Sequence, residues 1–167
     1  MPIAAGQALP QVTFRVPTAD GPVPRTTAEI FAGRTVVLFA VPGAFTPTCH
    51  RNHLPGYIRH AAAIRAKGVD AIAVTSTNDP FVMAAWAKES GAGDGILFLA
   101  DGNADFARAV GLDVDATERG MGIRSQRYSM LVRDGVVERL FVEEVRGVVE
   151  SSGAEAMLAA LAEEARP

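Results

Sequence analysis

The chain has 167 residues, 49% of them hydrophobic and 21% charged, enough for one soluble domain with a sizeable buried core. Sixteen Lys and Arg against nineteen Asp and Glu give a net charge of −3, which speaks against nucleic-acid or anionic-membrane binding, since both need a basic face. No run of about 18 apolar residues suggests a membrane span, and one cysteine excludes an internal disulfide.

Along the chain, MPIAAGQALPQVTF lacks the basic and long apolar regions of a signal peptide. With the lone thiol, this leads to the expectation of a cytoplasmic protein, a single domain over 1–167. Val12 to Val16 alternates as a short edge strand would. Thr26 and Glu29 have capping-box spacing for a short helix that Gly33 closes. Thr35–Val41 (TVVLFAV) is a continuous β-branched and aromatic run, read as a strand buried on both faces.

From Thr48 to Lys67, Leu54, Ile58, Ala61 and Ile64 recur at helical steps, with a kink expected at Pro55-Gly56. Val69–Ser76 and Ile96–Ala100 read as further buried strands. Between them, Asp79-Pro80 opens a helix over FVMAAWAKES. Asn103 is the expected cap of ADFARAV, which ends at Gly111. Arg119–Arg124 (RGMGIR) reads as a glycine-containing loop, and Asp134-Gly135 joins strands Tyr128–Val132 and Val136–Val142 as a hairpin. Ser152 and Glu155 suggest a second capping box, opening AEAMLAALAEEA to Ala165. This order predicts an α/β fold, a thioredoxin-like mixed central β-sheet flanked by helices.

The one cysteine, Cys49, closes the turn VPGAFTPTC, directly after the first buried strand and at the start of a helix. There its sulfur meets unpaired backbone N–H groups and the positive end of the helix dipole, which favour thiolate over thiol. Pro42 and Pro47 stiffen the loop, and Thr46 lies three residues before the sulfur. A stiff pocket holding a thiolate, a hydroxyl and backbone donors suits a small electrophile that gains negative charge as it reacts, such as a peroxide.

Pro42, Thr46 and Cys49 in PGAFTPTC match the P-x-x-x-T-x-x-C pattern of peroxiredoxins, and VPGAFTPTCHRNHLPGY resembles their type II subfamily. STNDPFVMAAWAK, LFLADGNADFARAVGL, RYSMLVRDGVV and SSGAEAMLAAL agree in the same order, so the resemblance runs from about Thr26 to Leu161. It implies a thioredoxin-like fold and a thiol-dependent peroxidase that reduces hydrogen peroxide and alkyl hydroperoxides. Cys49 would be the peroxidatic cysteine, becoming a sulfenic acid. Thr46 and Arg127 would be its polar partners, with Pro42 shielding the site. On sequence distance alone Arg51 and Arg124 rival Arg127, and the resemblance selects Arg127, which would share a strand face with Ser129 and Leu131.

The animal relatives carry a resolving cysteine near the C-terminal segment, where this chain has ESSGAE. Reset of Cys49 would therefore need an external thiol, glutathione with glutaredoxin or thioredoxin, and the family also implies a homodimer with a contact near Phe81. A redox sensor, passing oxidation from Cys49 to a partner protein with little turnover, is the alternative for the same site. Cys49, His50, His53 and His60 raise the question of a metal, but no second Cys-His cluster completes a tetrahedral set, so neither metal nor cofactor is expected. His53 is read instead as ordering the loop around Cys49. A Cys-His hydrolase would need its base on another element, and all three histidines fall between Cys49 and His60. GMGIRS does not meet the dinucleotide fingerprint, and Phe81 and Trp86 read most simply as core.

Overall fold

The computed structural model describes residues 1–164, so Ala165 of the expected last helix lies outside the described residues. The chain forms β1 (Thr13–Val16), β2 (Val23–Thr26), α1 (Thr27–Phe31), β3 (Thr35–Ala40), a π-helical turn (Cys49–His53) and α2 (Leu54–Arg65). Then come β4 (Ala71–Ser76), α3 (Pro80–Ser90), β5 (Leu97–Ala100), α4 (Asp105–Ala109), β6 (Asp113–Asp115) and β7 (Ile123–Ser125). β8 (Tyr128–Arg133), β9 (Val136–Val142) and α5 (Ala154–Glu164) complete it.

Seven strands make one sheet in the order β2-β1-β5-β4-β3-β8-β9. The three strands read as buried, β3, β4 and β5, lie parallel in its centre, where both faces are covered. β1 and β8 flank them antiparallel, so the sheet is mixed as expected. One face packs Leu54, Tyr57, Met83, Trp86 and Met157 of α2, α3 and α5 on Val37, Phe39, Val74 and Leu131. The other packs Phe31 and Phe106 of α1 and α4 on Val36, Leu38, Leu99 and Met130.

Several local expectations hold in detail. Thr26 and Glu29 form the reciprocal capping box. Asp79 caps α3 by accepting from the Phe81 and Val82 N–H groups at 2.8 and 2.9 Å. Asp134 (φ 47°) and Gly135 (φ 76°) make the two-residue turn of the β8–β9 hairpin, a left-handed pair that glycine and aspartate tolerate.

Others are corrected. β1 is not the sheet edge, because Val23–Thr26, with Pro24 in it, pairs outside it as β2. RGMGIR is not wholly a loop, since Ile123–Ser125 pairs with Asp113–Asp115 as a separate two-stranded sheet. The irregularity expected at Pro55-Gly56 lies upstream as the π-helical turn, in which the Leu54 N–H reaches back to the Cys49 carbonyl, and Pro55 sits in the first turn of α2 where its missing donor costs little. Asn103 does not cap α4; the buried Asp101 carboxylate accepts from the Phe106 and Ala107 N–H groups at 3.0 and 2.9 Å. Ser152 does not form a capping box with Glu155, for its hydroxyl donates to Glu143, while Glu155 faces His60 at 3.8 Å.

Asp101→Ala strips two buried N–H groups of their acceptor and should lower stability by about 2 kcal/mol, read as a fall in the urea midpoint at unchanged slope.

Candidate active site

β3 and β8 run antiparallel with Ala40 opposite Tyr128, so Arg127, one residue before β8, stands beside the loop that leaves β3. That pairing brings together residues 78 positions apart: the Arg127 guanidinium donates from Nη2 to Cys49 Sγ at 3.0 Å. Both residues are buried, Cys49 with no exposed surface and Arg127 with 8%. Burial alone would suit a packing cysteine, but a packing cysteine has no use for a buried cation as its hydrogen-bond donor.

The other nitrogen of the guanidinium, Nη1, lies 2.9 Å from His53 Nδ1, and His53 Nε2 lies 3.0 Å from the Ser152 carbonyl oxygen. A carbonyl and an arginine leave one consistent assignment. Nε2 carries the proton and donates to Ser152, and Nδ1 accepts from Arg127. Burial, followed by the Arg127 charge, holds the His53 pKa down at about 3, so the ring is neutral as this assignment requires. Tyr57 donates to the same Ser152 carbonyl at 2.8 Å.

Ser152 is itself fixed. The Glu143 carboxylate accepts from the Glu150, Ser151 and Ser152 N–H groups at 3.0, 3.2 and 2.9 Å and from both serine hydroxyls. Burial works against its ionisation, and these hydrogen bonds, led by those from Ser152, outweigh burial and keep its carboxyl below the usual range. The Glu143 N–H donates to the Arg127 carbonyl at 2.9 Å. Glu143, Ser152, His53, Arg127 and Cys49 therefore form one connected line.

The loop before Cys49 is also tied down. Gly43 is closely packed, since a Cβ there would crowd Thr46 Cγ2 at 3.0 Å and Arg124 Nη1 at 3.1 Å. Thr46 donates its hydroxyl to the Gly43 carbonyl at 2.6 Å, and its own carbonyl accepts from the His50 N–H at 2.8 Å. No hydrogen bond joins Thr46 to the Cys49 sulfur among the described residues; Thr46 lines a cavity of about 260 Å³ together with Pro42, Met121 and Arg127. Of the rival arginines, Arg124 braces the Pro42 and Met121 carbonyls at 3.4 and 2.8 Å, and Arg51 is exposed.

The histidines diverge from Cys49 in different directions. His50 accepts from Trp86 Nε1 at 3.1 Å, under the ring of Phe45 (5.6 Å between centroids), while His53 serves Arg127. Trp86 is core as expected, whereas Phe81 is 71% exposed and is not.

Residues 4–158 match the redoxin family. Peroxiredoxin-2E-2 of rice, a chloroplastic protein by name, is 51% identical over 95% of this chain and 72% of its own. The chain belongs to the peroxiredoxins, type II. Peroxiredoxin sll1621 of Synechocystis is 44% identical over 92% of this chain and 88% of its own. A crystal structure of reduced Prx3 from Vibrio vulnificus in complex with hydrogen peroxide is 53% identical, with a TM-score of 0.90 over 95% of this chain and 99% of that one. The fold is accordingly thioredoxin-like, and this peroxiredoxin is a thiol peroxidase.

Sequence reasoning missed Glu143 and Ser152 in this peroxiredoxin's site. His53 had one signal, a histidine four residues after the cysteine on the same helical face, but its two partners lie 74 and 99 positions away.

Because His53 is held neutral when folded, the unfolded chain binds a proton that the folded chain refuses between about pH 6.5 and 3. The stability this group contributes is complete above pH 6.5 and is lost as pH falls through that window. Urea unfolding from pH 7 to 4 should show a slope shallower in His53→Gln than in the native chain, by at most about 1.4 kcal/mol per pH unit.

Proposed function

We propose that Cys49 is the peroxidatic cysteine of this thiol peroxidase, reducing hydrogen peroxide and alkyl hydroperoxides, and that the 3.0 Å bond from Arg127 to its sulfur carries the reading. A thiolate accepting from a guanidinium is a charge-assisted pair, stronger than a neutral hydrogen bond and desolvated here. The sulfur's electron pair attacks one peroxide oxygen, the O–O bond breaks, and the other oxygen leaves as hydroxide or alkoxide and takes a proton. Cys49 ends as the sulfenic acid.

Arg127 already reaches the sulfur and stands where charge develops along the breaking bond. Thr46 gives its own proton to Gly43, so its oxygen lone pairs are free to accept from a peroxide O–H and orient it. Pro42 lines the same cavity without a donor and limits access by water. The complex of the Vibrio vulnificus relative with hydrogen peroxide supports this assignment.

With one cysteine in the chain, the sulfenic acid has no internal partner, and an outside thiol resets it, glutathione with glutaredoxin or thioredoxin. The working form is a homodimer. Exposed Phe81 and Phe45 favour it, and the Ala44 N–H bonded to Asn78 at 2.9 Å links the loop of one to the start of the helix that carries the other.

Peroxide consumption with excess thiol should be abolished in Cys49→Ser and fall about a hundredfold or more in Arg127→Ala. Normal rates in either would contradict the assignment, and a single oxidation per chain without sustained consumption would point to a sensor instead. Sedimentation should find a dimer that Phe81→Asp dissociates; a native monomer would contradict the dimer.

A further inference from the structure

The cavity that Pro42, Thr46 and Arg127 line is charged in a way the peroxide step does not use. Its lining of about 260 Å³ includes Arg119, Arg127 and Arg146 and no acidic residue, in a chain whose net charge is −3. Arg127 spends both terminal nitrogens inward, on Cys49 and His53. Arg119 and Arg146 are different. Both are exposed, and neither guanidinium has a hydrogen-bond or ion-pair partner among the described residues.

The same two arginines line the adjoining cavity of about 220 Å³, with Pro42 and Gly147 common to both. That second cavity includes Glu143 and Glu144. Glu143 is saturated by three N–H groups and two hydroxyls, so Glu144 is the one acid there with no such engagement to set against the two cations. Two loops hold the arginines at the rim. Arg119 ends a short turn closed by Gly120, and Arg146 precedes Gly147, whose carbonyl accepts from the Thr48 hydroxyl at 3.4 Å.

Hydrogen peroxide carries no charge and gains nothing from either arginine. A planar guanidinium with free donors matches a carboxylate, which it binds through two parallel N–H···O bonds. We infer that Arg119 and Arg146 form a carboxylate-binding rim, which holds the charged end of a small co-substrate while its reactive end points at Cys49. The inference rests on the peroxidatic reading above.

The carboxylate has two possible bearers, an acidic thiol in the resetting step or an acidic organic hydroperoxide in the oxidising step. In the first, the thiolate pair attacks the sulfenic sulfur, the S–O bond breaks, and hydroxide leaves as water after taking a proton. The Cys49 sulfur is reduced and the thiol oxidised as the mixed disulfide forms. A second thiolate then attacks the carrier's sulfur and releases Cys49 as thiolate. In the second case the carboxylate anchors a hydroperoxide whose O–O bond breaks as for hydrogen peroxide.

The test measures each half-reaction by stopped flow, in the native chain and in the double variant Arg119→Ser/Arg146→Ser. For reset of pre-formed sulfenic acid, 3-mercaptopropionate is compared with uncharged 2-mercaptoethanol. For oxidation, a carboxylate-bearing alkyl hydroperoxide is compared with tert-butyl hydroperoxide. Taking the ratio of charged to neutral reagent within each protein cancels the reagents' own reactivity. That ratio should fall about tenfold in the double variant in at least one half-reaction, and the half-reaction affected names the bearer. Arg146→Glu should shift the preference toward the cationic thiol cysteamine. Ratios unchanged in both half-reactions would overturn the carboxylate rim alone. Failure of the native chain to form any sulfenic acid would overturn the peroxidatic reading and this inference with it.

Discussion

The buried guanidinium of Arg127 is the constraint around which the site is arranged. A cation with 8% exposure must be matched on every donor it turns inward, or the fold bears a desolvation cost of several kcal/mol. One side of the fork meets Cys49 and the other meets a histidine that must be neutral to accept. That histidine needs a carbonyl acceptor on its far side, and Ser152 supplies one. Ser152 stays in place because Glu143 gathers the N–H groups of its loop. Each link is required by the one before it, so the sulfur's environment is set as far away as the start of α5.

The arrangement also explains why the thiol can be fully buried and still belong to a reaction centre. Cys49 follows β3, a strand covered on both faces, and belongs to the same core as Leu54, Trp86 and Met157. What separates it from its apolar neighbours is the polar line that reaches its sulfur through Arg127, a residue that also lines the cavity bounded by Thr46 and Pro42. The π-helical turn at Cys49–His53 carries two members of that line. It sets Cys49 and His53 within reach of one guanidinium, and it leaves Pro55 at the first turn of α2, where proline is tolerated.

Much of this was legible in the sequence wherever a signal was local. The apolar runs of β3, β4 and β5, the Asp134-Gly135 turn and the Asp79-Pro80 helix start each rest on neighbouring residues, and each formed as its pattern implied. The family resemblance, in the segment RYSM, picked out Arg127 from three candidate arginines. Signals that depend on distant partners were not legible. Asn103 is the cap that lies nearer in sequence and is as good by type, yet the tertiary fold offers Asp101, buried beneath α4. Ser152 stands at capping-box spacing from Glu155, yet a carboxylate nine residues upstream claims it. VPRT does not read as a strand, because its half-exposed residues and Pro24 suit only an edge that β1 creates.

The central claim is that this sulfur, held by Arg127, reacts with peroxide as a prepared nucleophile. Its most direct test mixes the pre-reduced chain with one equivalent of hydrogen peroxide, follows Trp86 fluorescence by stopped flow, and quenches with a sulfenic-acid trap before intact-mass analysis. The account predicts a rapid single phase and one trapped adduct, at Cys49, formed about a thousandfold or more faster than free cysteine thiolate reacts. A reaction no faster than that of free thiolate would contradict it, and would mean that the buried line from Glu143 to Arg127 holds the fold together without activating the sulfur.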